Sequence, residues 1–164
     1  MENKTSRKNT RSLTQKLRNV LSNIQVDVWG YEKTVTKNIH SYFHRLSGET
    51  GIPKDGIIVR IFRDYGQIRV CVHKQGKRIK EIPVSELILL LTNTHPSALP
   101  QLQEKVVTGI QKFMMDYCAT HLIHPDNLHI CILTSGEKVF VKGVNRTDEI
   151  GLIPLMVLIK HFTR

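Results

Sequence analysis

The residues of this chain best suited to chemistry are its eight histidines. His40 and His44 stand four apart in a stretch with helical spacing, so they share a face and could both reach one metal ion. Two ligands do not complete a site, and no spacing brings in His73 as a third. His121, His124 and His129 gather around "IHPDN" at irregular intervals. Neither group predicts a metal. Acid–base catalysis needs two carboxyl groups in one pocket. Asp148-Glu149 and the pair Asp55 and Asp126 are the candidates. Asp55 before Gly56 and Asp126 before Asn127 read instead as turn residues bonding their own local backbone. No P-loop, GxGxxG, HExxH or GxSxG motif occurs. Cys71, Cys118 and Cys131 form no CxxC pair and read as reduced, partly buried thiols. Asn145-Arg146-Thr147 matches a glycosylation acceptor, which carries no weight without a secretory signal. The expectation is a protein that is not an enzyme, with no cofactor and no identified small-molecule ligand.

Charge is the stronger signal. The net charge of +10 is unevenly spread. Residues 1–31 carry six Lys/Arg against two acids, residues 32–95 eleven against six, and residues 96–164 seven against six, giving +4, +5 and +1. "IIVRIFR" and "QIRVCVH" alternate with period two around "DYG", the pattern of a hairpin. With Val59, Ile61, Ile68, Val70 and Val72 facing inward, Arg60, Phe62, Gln67, Arg69, Cys71 and His73 face the other way. Lys74, Lys77, Arg78 and Lys80 follow in the next turn and strand. Cations neutralise phosphates and flat rings stack on bases, so Arg60, Phe62, Arg69, Lys74, Lys77, Arg78 and Lys80 are the candidate contacts to nucleic acid, DNA or RNA. Arg7, Lys8 and Arg11 of the tail would add unspecific attraction. Lys16 and Arg18, beside an apolar stripe, fit the same role or a membrane surface.

These side chains need elements to hold them. Residues 1–11 read as a basic disordered tail. Ser12 and Gln15 form a capping box for an amphipathic helix within 12–31, with Leu13, Leu17, Val20, Leu21 and Ile24 on one face and Trp29 as an anchor. A second helix is expected from Glu32 to Leu46, with Val35, Ile39, Tyr42, Phe43 and Leu46 as its stripe. "SGETGIPKDG" reads as a loop, "KRIKEI" as a short third strand, and Pro83–Leu91 as an apolar helix. After the linker "TNTHPSALP" the order recurs: a helix over 100–121, the loop "IHPDN", a hairpin of "LHICILT" and "KVFVKGV" around Ser135-Gly136, and a last helix from Leu152 to Phe162.

One constant shift superposes the two parts without a gap. Val35 meets Val106, Ile39 meets Ile110, Ile52 meets Ile123, Asp55 meets Asp126, Ile61 meets Ile132, and Ile79 meets Ile150. Ile82-Pro83 meets Ile153-Pro154, and Leu87-Ile88 meets Leu158-Ile159. The expected fold class is α+β: an internally duplicated helix–β-hairpin–helix unit with an extra short strand, antiparallel and pseudo-twofold, preceded by an N-terminal helix. The first repeat spans 32–95, and the linker and second repeat span 96–164. One unit's sheet is too small to be stable alone, so 32–164 should share one core, with the apolar helices near its centre. The alternative keeps the repeats separate and makes a homodimer through those helices, as a protein-interaction or assembly module.

The helix–three-strand–helix order is similar, as an order of elements, to that of the double-stranded-RNA-binding domain. The Lys-Lys cluster opening that domain's second helix has no counterpart here, where Pro83-Val84-Ser85-Glu86 stands, so the chain is not assigned to that family. A chain of 164 residues can bury about 70% of its unfolded surface, enough for a real core. "LILLLT" and "LIPLMVLI" are too short to span a membrane. The N-terminus lacks the apolar stretch of a secretory signal, which makes the cytoplasm the expected location.

Overall fold

The computed structural model describes residues 31–92 and 95–163. The expected tail, the helix within 12–24 with its capping box, Trp29, and the cations Arg7, Lys8, Arg11, Lys16 and Arg18 lie outside the described residues. The chain divides into two units, Met1–Thr34 and Val35–Arg164. Of the first, only residues 31–34 are described, and they are helical.

The described elements make a mixed structure of four helices and one six-stranded antiparallel sheet. Helix α1 covers residues 35–50 of the second unit. Strands β1 (Ile58–Asp64), β2 (Gln67–Lys74) and β3 (Lys77–Ile82) follow, then α2 (Val84–Thr92), α3 (Leu99–His121), β4 (Leu128–Ser135), β5 (Lys138–Asn145), β6 (Asp148–Ile153) and α4 (Leu155–Thr163). The strand order is β3-β2-β1-β4-β5-β6. Each consecutive pair β1–β2, β2–β3, β4–β5 and β5–β6 is a hairpin with a two-residue turn. The turns Tyr65-Gly66 and Gln75-Gly76 have both residues at positive φ, the form whose twist matches that of the strands. One long-range pairing, β1 on β4, joins the halves into one sheet. Separate repeats are therefore not what this chain forms.

Positions recur at one interval. β2 and β5 start at Gln67 and Lys138, β3 and β6 at Lys77 and Asp148, and α2 and α4 at Val84 and Leu155, the same separation each time. The ladder shifts between Val72 and His73, leaving Ile79 unpaired, and again between Gly143 and Val144, leaving Ile150 unpaired. At the central seam Arg60 pairs with Cys131, its own counterpart at that same interval.

Helices occupy one face of the sheet. The α1 stripe Val35, Ile39, Tyr42, Phe43 and Leu46 is buried, as are Val106, Ile110, Phe113, Met114 and Cys118 of α3. The inward strand residues Val59, Ile61, Val70, Val72, Ile130, Ile132 and Val141 are buried as well. Tyr117 of α3 lies against Gly143 of β5, where any side chain would collide with its ring. Helices α2, α3 and α4 touch one another, and at Gly109 of α3 the backbone of His161 in α4 comes too close for a Cβ. Leu87 and Leu158, from the two apolar helices, are 1% and 0% exposed within this one chain.

Three features differ from the sequence expectation. Helix α1 continues past Leu46 through residue 50, because Thr50 Oγ1 donates to Leu46 O (2.7 Å) and Gly51 N to Ser47 O (2.9 Å), with Gly51 at φ 73° closing the helix. The second half holds a third strand, β6. Leu152 and Ile153 belong to it, and α4 begins only after Pro154. "DEIGLI" has neither alternation nor β-branched richness, and pairing with β5 overrides its weak local preference. Third, Asp55 does not bond its own turn. Its carboxylate accepts from Thr134 Oγ1 and Gly136 N, both at 3.0 Å, and so caps the β4–β5 turn of the other half. Those bonds hold its carboxyl below the ordinary carboxylate range. All three cysteines are free and buried. Among the described residues no helix is long and apolar enough to cross a membrane.

Candidate nucleic-acid interface

Alternation in the strands turns a second set of side chains to the face away from the helices. Along β1 these are Ile58, Arg60, Phe62 and Asp64, and along β2 Gln67, Arg69, Cys71 and His73. His129, Cys131 and Leu133 come from β4, with Phe140 and Lys142 from β5. Phe62 stacks on His129, ring centroids 5.0 Å apart and 14° from parallel. Cys71, expected to face outward, does so, yet it is buried because neighbouring strands flank it on both sides.

The seven sequence candidates separate into three groups. Arg69 is clamped by acids: its Nε and Nη2 donate to Glu81 at 2.8 and 2.7 Å, and its Nη1 to Asp64. Arg78 donates to the same Glu81 at 2.9 Å. Glu81, chiefly through Arg69, is held below the usual carboxylate range. Lys80 is misplaced by the sequence reading: it pairs with Val72, faces the helices and bonds Glu49 at 3.2 Å. The bulge at Ile79 sets Lys80 on the opposite face from Arg78 two residues before it. Arg60, Lys74 and Lys77 have no acid partner among the described residues. Lys74 and Lys77 sit opposite each other at the end of the β2–β3 hairpin.

Arg60 occupies the middle of the sheet. Cys71 and Cys131 are its direct cross-strand neighbours. His73 and His129 lie on its diagonals, each two residue positions along the ladder and in opposite directions, His73 beside Ile58 and His129 beside Phe62. Among the described residues, Arg60 Nε, His73 Nδ1 and His129 Nδ1 are closed off from solvent and have no side-chain partner, while the His73 ring lies within bonding reach of the Gly76 backbone. Burial, then the Arg60 charge, pushes the His129 imidazole down to about 4. Burial, then Arg60 and Arg78, also lowers His73, with a backbone bond at Gly76 pulling weakly the other way. At neutral pH both rings are uncharged beside a permanent cation.

His129 and Cys131 were not foreseen as neighbours of Arg60. The signal was present: the constant shift carries Arg60 to Cys131, and a β1–β4 seam centred on that pair brings His129 beside Phe62. The other histidine groups do not assemble. His40 Nε2 bonds Glu137 O at 2.8 Å, His121 packs on Tyr117, and His124 Nδ1 accepts from Asp126 N. Among the described residues no three His, Cys, Asp or Glu side chains are grouped to hold a metal ion. Compared with protein-family models, curated proteins and solved structures, the chain matches none.

Proposed function

We propose that the chain is a non-enzymatic nucleic-acid-binding protein that receives the phosphate backbone on the sheet face carrying Arg60, with Lys74 and Lys77 extending the contact. The observation that supports this reading is Arg60: a cation at the centre of a sheet, without a counter-charge among the described residues, beside the stacked rings of Phe62 and His129. Arg69, Arg78 and Lys80 contribute less, since reaching a phosphate means leaving Glu81, Asp64 or Glu49. The recurrence at one interval, carried through strand registers and bulges, supports an internal duplication with a pseudo-twofold axis at the Arg60–Cys131 pair. A cytoplasmic location belongs to the same proposal.

Fluorescence anisotropy with labelled oligonucleotides, single- and double-stranded, tests the reading across a salt series. Three phosphates neutralised by Arg60, Lys74 and Lys77 give a slope of log affinity against log salt of about −2 to −3. Arg60→Gln and the pair Lys74→Ala, Lys77→Ala each flatten it. An affinity indifferent to salt, or to these substitutions in folded protein, refutes the reading. The competing assembly through the Pro83 and Pro154 helices is weaker here, because Leu87 and Leu158 are already buried inside the chain.

A further inference from the structure

We infer that the end of the sheet at the β1–β2 turn is a docking pocket for a partner protein, taking one apolar side chain whose neighbour in the peptide is an aspartate or glutamate. A cavity of about 250 Å³ opens there between the hairpin and α3, lined by Arg63, Ile68, Gln111, Met114, Met115 and Pro125. It is smaller than the ~300–1,000 Å³ of sites for drug-sized ligands and suits a single side chain. Ile68 and Met114 give it a buried floor, while Met115 is 46% exposed. Methionine side chains reshape around what enters. Tyr65, next in the chain to the lining residue Gly66, is 98% exposed and offers the kind of ring that interfaces use.

The other half shows what fills such a turn end. At the recurring interval Thr134, Gly136 and Glu137 answer to Arg63, Tyr65 and Gly66, and His40, Lys54 and Asp55 answer to Gln111, Pro125 and Asp126. One bond is kept in both halves: His40 Nε2 meets Glu137 O at 2.8 Å, and Gln111 Nε2 donates to Gly66 O at 3.4 Å. The rest differs. On the β4–β5 turn Lys54 Nζ donates to Gly136 O at 2.8 Å, and the Asp55 carboxylate accepts from Thr134 Oγ1 and Gly136 N. On the β1–β2 turn Pro125 has no side-chain donor, and the Asp126 carboxylate lies 3.8 Å from the His124 ring, paired with neither Arg63 nor Tyr65 among the described residues. Asp64 is bonded to Arg69. Arg63 is left with a thioether, its Nη1 donating to Met115 Sδ at 3.5 Å, a weak acceptor for a full charge. A carboxylate in place of that sulfur makes a charge-assisted bond, so the cation selects an acidic peptide. Arg63 pairs with Ile68 on the helix side, and the β1–β2 turn lies at the opposite end of β2 from Lys74 and Lys77. The pocket is therefore separate from the face proposed for nucleic acid and does not rest on that reading.

The test uses the full chain and follows isotope-labelled methionine methyl signals by NMR, assigned with Met114→Leu and Met115→Leu. The probes are short, terminally blocked peptides with Asp and Leu adjoining in either order, and controls in which Asn replaces Asp or Ser replaces Leu. Expected is a shift of the Met114 and Met115 signals by the Asp and Leu peptides, with each control binding about tenfold or more weakly. Arg63→Gln should erase the preference for Asp over Asn and keep the preference for Leu over Ser. Met115→Glu, which gives Arg63 an acid of its own, should weaken the Asp peptides to the level of the Asn control, read at Met114, and serves if the Arg63 variant fails to fold. Methyl signals unmoved by any peptide at millimolar concentration overturn the pocket. So does an Asn peptide that binds as well as its Asp counterpart, or a preference for Asp that survives Arg63→Gln. A single-stranded oligonucleotide that displaces the peptide also overturns it and assigns the cavity to nucleic acid. Oligonucleotide and peptide bound at once uphold it.

Discussion

Along β2 the face away from the helices carries Arg69, Cys71 and His73, and the corresponding positions of β5 carry Phe140, Lys142 and Val144. On β1 the pair Arg60 and Phe62 corresponds to Cys131 and Leu133 on β4. On β3 Arg78 and Glu81 correspond to Glu149 and Leu152 on β6. The inner positions behave differently: Val59 and Ile130, Ile61 and Ile132, Val70 and Val141, and Ile82 and Ile153 are all aliphatic and buried. The difference separates two jobs. Inner side chains set strand register against the helices and cannot differ much, because a one-residue slip would turn the buried set outward. Outer side chains are free to differ, and in this chain the cations collect in the first half. Leu152, 63% exposed, stands on β6 at the position that Glu81 holds on β3.

Core substitutions probe the shared part of that comparison most strongly. Leu87→Ala and Leu158→Ala should each cost about 2–5 kcal/mol, and each should shift one common urea transition. Two separate transitions would mean that the halves own separate cores. Next in size is Gly109, whose counterpart in α1 is Asn38. Gly109→Asn forces the His161 backbone away and should cost about 1–3 kcal/mol, whereas Asn38→Ala should be nearly neutral by the same measurement.

His129 sharpens the contrast on the outer face. Between about pH 4 and 6.5 the unfolded chain holds a proton on this imidazole that the folded chain rejects. Stability is therefore lost as pH falls through that window, and thermal melts of His129→Phe should show a weaker decline than the unaltered chain. The smallest effect concerns turns. Gly51 ends α1 at φ 73°, and Leu122 ends α3 at φ 56° while 94% exposed. Leu122→Gly relieves the left-handed strain with no contact to lose and should stabilise by up to about 1 kcal/mol in urea unfolding. A loss would show that this side chain holds something in place.

The helical stripes and the first hairpin were readable because spacing and burial agree there. Val35 to Leu46 and Val59 to Val72 each repeat at the period of their element. Strand β6 was not readable, since Asp148, Glu149 and Gly151 carry no strand preference of their own and the ladder with β5 supplies it. Lys80 was misdirected by a bulge that no local pattern announces. Asp55 looked like a turn residue because its partners Thr134 and Gly136 are far away in sequence. The candidate face was half legible: alternation exposed Arg60 and Phe62, but their neighbours His129 and Cys131 come from the other half and appear only once β1 meets β4.

That seam also governs how the molecule comes together. Four of the five strand contacts close across two residues, a step of microseconds, while β1 finds β4 only by closing the long stretch of chain between Asp64 and Leu128. The slow event in refolding should therefore be the meeting of two preformed three-stranded pieces. Substitutions along Ile61 and Ile130 should slow acquisition of the native state, whereas damage to the outer hairpins should mainly hasten its loss.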